Sequence, residues 1–523
     1  MSLYARELFD WSPSENAPES YLPSEGSRYA VVNVVTLGGL IAFSLLGITI
    51  YRLVLHPLAR YPGPKLAAAT VMYEFYYDAI KGGMYVFEIQ RMHEKYGPIV
   101  RISPNELHVN EPSFIDELYA GGGKARDKYD YATAQFGIPD SVFGAVSHNL
   151  HRMRRGALNP FFSKASVTKL EPIIHEKIEK LCRQLKTYEG SGSPVDLTMA
   201  FSCMTTDVVT EYAFAKCSNF LDSPTFEPNF HSAIIAGSNM GPFTKPFPWI
   251  FPLLRALPDS FVMRLVPDMG YFVQWQRDMR KQVASVQKEV QQKPKQATRP
   301  AHATIFHELF EGNLPDSEKR PERMWQEGQI VIGAGTETTA WTLTVTMFYV
   351  LNNPSILSSL QQELQVAIPE PSERVACKTL DNLPYLIMPS YLKGSASPMA
   401  YDIPRGTPVG MTSTLVHLNP SLFPQPLEFR PERWLDADNK RDKTLDKYLL
   451  SFSKGSRQCI GINLAYAELY MTLGFIIRRI GSQLNLYETD KSDVEIESDQ
   501  FVAMPKASSK GVRVTISPGN EGP

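Results

Sequence analysis

The longest apolar run in the chain is Tyr29–Ile50, 22 residues without a charged side chain. At about 1.5 Å per residue a helix of that length crosses a hydrocarbon core of roughly 30 Å. No polar face interrupts the run, which sets it apart from a core helix. A cleaved signal sequence would lie nearer the start, with a shorter apolar stretch behind basic residues. Glu7, Asp10, Glu15, Glu19 and Glu25 precede the run, and Arg52, His56, Arg60 and Lys65 follow it. This asymmetry predicts a lumenal tail (1–28), a single-pass anchor (29–51) and a cytosolic body, in the endoplasmic reticulum membrane.

Periodicity changes after the anchor. Residues 52–66 hold Pro57, Pro62 and Pro64, a semi-rigid hinge. Residues 67–523 then read as one body. A helix is expected near Val86–Tyr96, with strands near Pro98–Ser103 and Glu106–Val109 joined by a turn at Pro104-Asn105. Helical patterns follow at Val167–Leu185, Met199–Phe214 and, longest, Pro321–Val350. Gln291–Ala303 reads as an exposed connection.

Composition narrows the function classes. Hydrophobic residues make up 43% of 523, ample for a large core, and a formal net charge of −2 argues against nucleic acid as a partner. The cysteines (182, 203, 217, 377 and 459) form no C-x-x-C pair, which fits reduced cytosolic thiols.

One cysteine stands out by its neighbours. Phe452, Gly455, Arg457, Cys459 and Gly461 recur at steps of three, two, two and two. Average residue usage gives such a match by chance on the order of once per ten thousand chains this long. The loop resembles the haem-binding loop of cytochromes P450, whose Cys thiolate is the proximal iron ligand. The resemblance implies Cys459 as the metal ligand, Gly455 for a tight turn and Gly461 for a helix starting close to the macrocycle. It implies Arg457 as a propionate partner and Phe452 as a shield for the thiolate.

Other segments follow in family order. His151 and Arg155, four residues apart on one helix face, match the pair that reaches the propionates, with Arg152 and Arg154 left free to steer an acidic reductase. Ala334-Gly335-Thr336-Glu337-Thr338 resembles the oxygen-side helix motif. There Gly335 would allow a local opening over the iron, while Thr338 and Glu337 relay protons. The fold implied is mainly α with small β-sheets, preceded by one transmembrane helix. The cofactor implied is haem b, reduced by NADPH through NADPH-cytochrome P450 reductase. The style of the hinge resembles fungal secondary-metabolism members, the trichodiene-oxygenase-like group. That implies hydroxylation or epoxidation of a lipophilic small molecule, a terpenoid or polyketide. Tyr129–Phe143, Ile234–Phe251, Ala334–Thr338 and Phe501–Pro505 are the expected contact segments, all read as apolar.

The pattern breaks once. After Leu380–Leu386 the family carries a helix with Glu-x-x-Arg and a substrate-lining strand, but 14 residues (387–400) lead straight to Tyr401. A helix of about 11 residues and two strands of about 5 do not fit there. Arg433, in Pro431-Glu432-Arg433, loses its expected carboxylate. A mis-joined exon in the translated sequence accounts for this while both flanks stay intact; a degenerate homologue is the alternative. A haem-thiolate isomerase that needs no dioxygen is a third reading, against which Thr338 and Glu337 argue.

Overall fold

The computed structural model describes residues 25–121, 123–227, 230–292, 304–386, 403–438 and 440–519. The helices of nine residues or more among them are α1 (Glu25–Ile50), α2 (Tyr85–Tyr96), α3 (His148–Leu158), α4 (Lys164–Lys186), α5 (Leu197–Phe214), α6 (His231–Asn239), α7 (Pro267–Gln292), α8 (Pro321–Leu351), α9 (Pro354–Ala367) and α10 (Ile462–Ile480). The fold is thus mainly α. The chain divides into a unit ending at Arg60 and a body from Tyr61 onward.

In the first unit, α1 continues into a wider turn over Tyr51–Leu55. The stretch long and apolar enough to cross a membrane is Asn33–Leu55, 23 residues, none of them buried. It runs past the expected boundary at 51 because Leu53, Val54 and Leu55 extend the apolar surface.

In the body, local chemistry sets the helix ends. Asp196 accepts from the Thr198 amide to start α5, which ends where Ala215 turns left-handed at φ 51°. Pro321 and Pro354 occupy first-turn positions of α8 and α9, where a missing N–H costs nothing, and the Asn353 side chain caps α9. α8 is buried along much of its length and packs closely on α5. A Cβ on Gly335 would lie 2.9 Å from Val209 Cγ2, so only glycine allows the helices to approach this closely. The Thr205 hydroxyl crosses the seam to the Thr336 carbonyl at 3.0 Å, and the Thr206 hydroxyl reaches Thr336 Oγ1 at 3.1 Å. Phe201, Trp325, Ile332, Leu343, Met347 and Phe475 belong to the core that joins these helices to α10.

The sheets are small. β1 (Ile99–Arg101) and β2 (Leu107–Val109) form the expected antiparallel hairpin, and β4 (Val409–Gly410) joins β2 in parallel with Leu107 opposite Val409. β3 (Val195–Asp196), β8 (Arg513–Ile516) and β5 (Leu484–Leu486) form a second sheet, and β6 (Ser498–Asp499) pairs with β7 (Ala503–Met504). Residues 387–402, where the Glu-x-x-Arg helix is missing from the sequence, lie outside the described residues, as do 1–24 and 293–303. Just before that segment, the Glu363 carboxylate accepts from the Tyr385 and Leu386 amides at 2.8 and 2.9 Å.

Candidate active site

Between α8 and the loop ahead of α10 lies a cavity of about 1120 Å³, and the predicted cysteine is on its wall. The loop is shaped by two left-handed residues, Ser453 (φ 53°) and Gly455 (φ 69°). A Cβ on Gly455 would stand 2.6 Å from the Tyr119 carbonyl oxygen, so the turn demands glycine twice over. The Cys459 amide then closes back on the Phe452 carbonyl at 2.8 Å, and the Phe452 ring packs on Tyr466 of α10 at 4.9 Å. Gly461 is the N-cap of α10, and its backbone N–H hydrogen-bonds to Cys459. A Cβ there would meet nothing closer than Cys459 Sγ at 3.9 Å. Cys459 is exposed on the cavity side. Burial against the loop pushes its thiol up, while Gly461 and Arg155 oppose the shift.

Cations gather beside it. His151 and Arg155, one turn apart on α3, both line the cavity, as do Arg457 and Lys128. Arg155 donates to the Gln458 carbonyl at 2.5 Å, next to the thiol. Arg457 bridges the Ala145 and Val146 carbonyls at 2.6 and 2.8 Å, tying the loop to the segment before α3. Lys128 donates to the Phe143 carbonyl at 3.0 Å and sits 3.4 Å from that ring's centroid. Burial, with Arg457 nearby, brings its pKa down to about 7. Burial, then Arg457 and Arg155, pushes His151 down to about 4, so it is a neutral hydrogen-bonding group at physiological pH.

The opposite wall comes from α8. Ala334 and Thr338 face the cavity, and the Thr338 hydroxyl donates to the Ala334 carbonyl at 2.8 Å. Glu337 also lines it, and its Oε2 lies 2.9 Å from Nδ1 of His231 on α6. Burial alone would depress His231; the Glu337 carboxylate and then Asp196 more than reverse it and raise its pKa.

Two expectations are corrected. Gly335 points at Val209 of α5, so its missing side chain serves helix packing and gives no opening over the cavity. Arg154 is not free: it is 5% exposed, forms an ion pair with Glu318 at 2.8 Å and donates to the Ser141 carbonyl, because the helix turn that exposes Arg152 turns Arg154 inward. Arg433 has no carboxylate partner among the described residues. Its guanidinium instead donates to the Pro424, Gln425 and Glu428 carbonyls at 3.3, 2.9 and 2.9 Å. Lys128 and Gln329, which line the cavity, and His231, which pairs with Glu337, were not marked by the sequence, since each lies outside the matched motifs.

The residues present fit the haem implied by the sequence. A sulfur donor stands on one wall, and cationic and neutral donors suit two carboxylates beside it. The volume exceeds the roughly 300–1,000 Å³ of an ordinary small-molecule site, leaving room for a cofactor and a substrate together.

Comparison with known proteins agrees. A family model described as Cytochrome P450 matches residues 62–388 and 396–508, interrupted where the sequence pattern breaks. A cytochrome P450 monooxygenase of Cochliobolus heterostrophus (tpcC) is 42% identical over 90% of this chain and 94% of its own length. A tryptophan 6-hydroxylase of Fusarium equiseti is 40% identical over 90% of this chain and 95% of its own length. The cytochrome P450 monooxygenase TRI4 of Fusarium sporotrichioides is 35% identical over 91% and 93%.

Proposed function

The chain belongs to the cytochrome P450 family, and on that premise we propose that it is a membrane-anchored haem-thiolate monooxygenase of fungal secondary metabolism, hydroxylating or epoxidising a lipophilic terpenoid, polyketide or aromatic intermediate. As a P450 monooxygenase it uses haem, draws electrons from a redox partner and acts on a lipophilic molecule. The finer reading is haem b, NADPH-cytochrome P450 reductase as that partner, and an endoplasmic reticulum anchor with the body in the cytosol. The observation that carries the activity is Cys459 on one wall of the cavity, with Ala334 and Thr338 of α8 on the wall across from it.

Haem, when bound, supplies the activation of dioxygen by which one oxygen atom enters the substrate. The chain's own residues do the rest. Cys459 gives the sulfur ligand, and Gly461 N–H and Arg155 stabilise its charge. Arg155, Arg457, Lys128 and neutral His151 receive the carboxylates. Thr338 keeps its proton on the Ala334 carbonyl at rest and is free to accept on its remaining lone pairs. His231 Nδ1–H holds a proton against Glu337 Oε2, where the carboxylate can take it up and pass it inward. Phe136, Phe143, Ile234 and Phe501 give the substrate an apolar chamber that excludes water.

One observation favours a second reading, a homologue with impaired haem loading: among the described residues Arg433, the brace beneath the cysteine loop in the family, is held by carbonyls and by no carboxylate. The reduced, CO-bound spectrum of microsomes expressing the full chain separates the two. A red-shifted Soret band of full intensity supports the monooxygenase, and its absence supports the impaired homologue.

A further inference from the structure

The oxygen-side helix carries a polar feature that the motifs do not require. Gln329 lies one and a half turns before Ala334 on α8, lines the cavity and is 4% exposed. Its Oε1 accepts from Gln276 Nε2 of α7 at 2.8 Å, and Gln276 is fully buried. Among the described residues the remaining Gln276 oxygen and the indole N–H of neighbouring Trp275, itself a cavity residue, have no hydrogen-bond partner. Among the described residues the Gln329 NH₂ group also has no acceptor. Ser238 of α6, 3% exposed, brings a hydroxyl to the same wall. A half-satisfied amide pair in an apolar interface is destabilising, and two apolar side chains would pack there without that penalty. Such a pair persists most economically where a ligand completes it.

We propose that the end of the cavity formed by α6, α7 and α8 is an anchoring subsite for one neutral hydrogen-bonding group of the substrate, a hydroxyl, ketone or carboxamide, received by Gln329 and Ser238. Charge sets the class. The cavity's cations, from Arg126 to Arg155 and from Arg405 to Arg457, come from other segments, and α6, α7 and α8 contribute none. The acid on this wall, Glu337, is engaged by His231. A carboxylate would therefore find no partner at this end, whereas an uncharged oxygen meets donors from Gln329 and Ser238. The substrate class sharpens to an apolar body with a neutral oxygen function remote from the site of oxidation. This rests on the monooxygenase reading, because it takes the cavity as the substrate chamber.

Imidazoles that ligate haem iron provide a probe whose position is fixed at one end. Matched 1-alkylimidazoles and ω-(imidazol-1-yl)alkanols of graded chain length are titrated against the full-length protein in microsomes, following the Soret shift. In a purely apolar chamber the hydroxyl member binds more weakly at every length, since it is stripped of water. With the subsite, one chain length reverses that order. In Gln329→Leu the alkanol then weakens by roughly tenfold relative to its methyl-ended twin, the worth of a hydrogen bond in a buried site. Ser238→Ala gives a smaller loss, and the methyl-ended series binds both variants as before. Should Gln329→Leu fail to fold, the Gln276→Leu, Gln329→Leu pair leaves no amide unpaired and repeats the comparison. The proposal is overturned if the alkanol is never preferred in the wild type, as when a water completes the pair, or if its preference survives both substitutions. Absence of the CO band or of any imidazole shift strikes the haem reading itself, a failure distinguishable from that of the subsite.

Discussion

Nδ1 of His231 stands 2.9 Å from Oε2 of Glu337, joining α6 to the oxygen-side helix through a pair with side chains only 14% and 3% exposed. A pair this buried does more than decorate a surface. Removing the imidazole leaves the buried Glu337 side chain without this partner, which costs about 3–5 kcal/mol.

His231→Phe is therefore expected to destabilise the protein by about that amount, and His231→Gln, which keeps an N–H donor, by less. The pH dependence has a definite sign. Because Glu337 raises the imidazole pKa, its contribution is complete below the unfolded value of about 6.5 and is lost as pH rises through the folded one. Thermal unfolding of wild type and His231→Gln should converge toward alkaline pH. Parallel curves across the range would mean that the ion pair is not populated.

Cys459→Ala should abolish the CO band with little change in stability, since the side chain faces the cavity. A retained band would reassign the iron ligand.

Thr338→Ala is expected to keep the band and the fold, because the hydroxyl is exposed to the cavity and, among the described residues, bonds only the Ala334 carbonyl of the previous turn. A surface-like change of this kind stays within about 0.5 kcal/mol. Reducing equivalents should instead be diverted to peroxide. Product formation per reducing equivalent consumed equal to wild type would remove Thr338 from the proposed proton delivery.

Gly335→Ala forces a methyl group toward Val209 Cγ2 at 2.9 Å. The expected cost is about 1–3 kcal/mol, typical of overpacking. Val209→Ala should restore much of it, giving a favourable coupling in a double-mutant cycle. Additive losses would show that the α5–α8 seam yields elsewhere.

The transcript is expected to encode further residues between Leu386 and Tyr401, including a carboxylate for Arg433. A transcript with this same junction would instead establish the loss as the chain's own.

Sequence motifs marked cavity residues better than they marked the polar surroundings. The Cys459 loop was legible because its turn needs glycine at 455, a constraint seen directly in the left-handed backbone and the nearby Tyr119 carbonyl. His151 and Arg155 were legible because helical spacing puts both on one face. The sequence also marked segments lining the chamber, from which Phe143, Ile234 and Phe501 emerge on the cavity wall. Gly335 misled because a helix glycine serves packing or opening equally well on paper, and only the partner helix decides. Lys128, His231 and Gln329 escaped because their significance is a contact across more than fifty residues or a place on a shared wall, for which no local pattern exists.

The bonds from Arg155 to Gln458 and from Arg457 to Ala145 and Val146 span more than three hundred positions of chain. A ribosome adding roughly 5–20 residues per second needs about 15–60 s to travel that far. For that interval the nascent protein has the α3 cations, and later α8, but not the Cys459 thiol that lines the same cavity. The cavity is closed by roughly the last eighth of the polypeptide to be made. A message truncated shortly before Cys459 thus yields a chain that lacks this thiol and the whole of α10 with its share of the core.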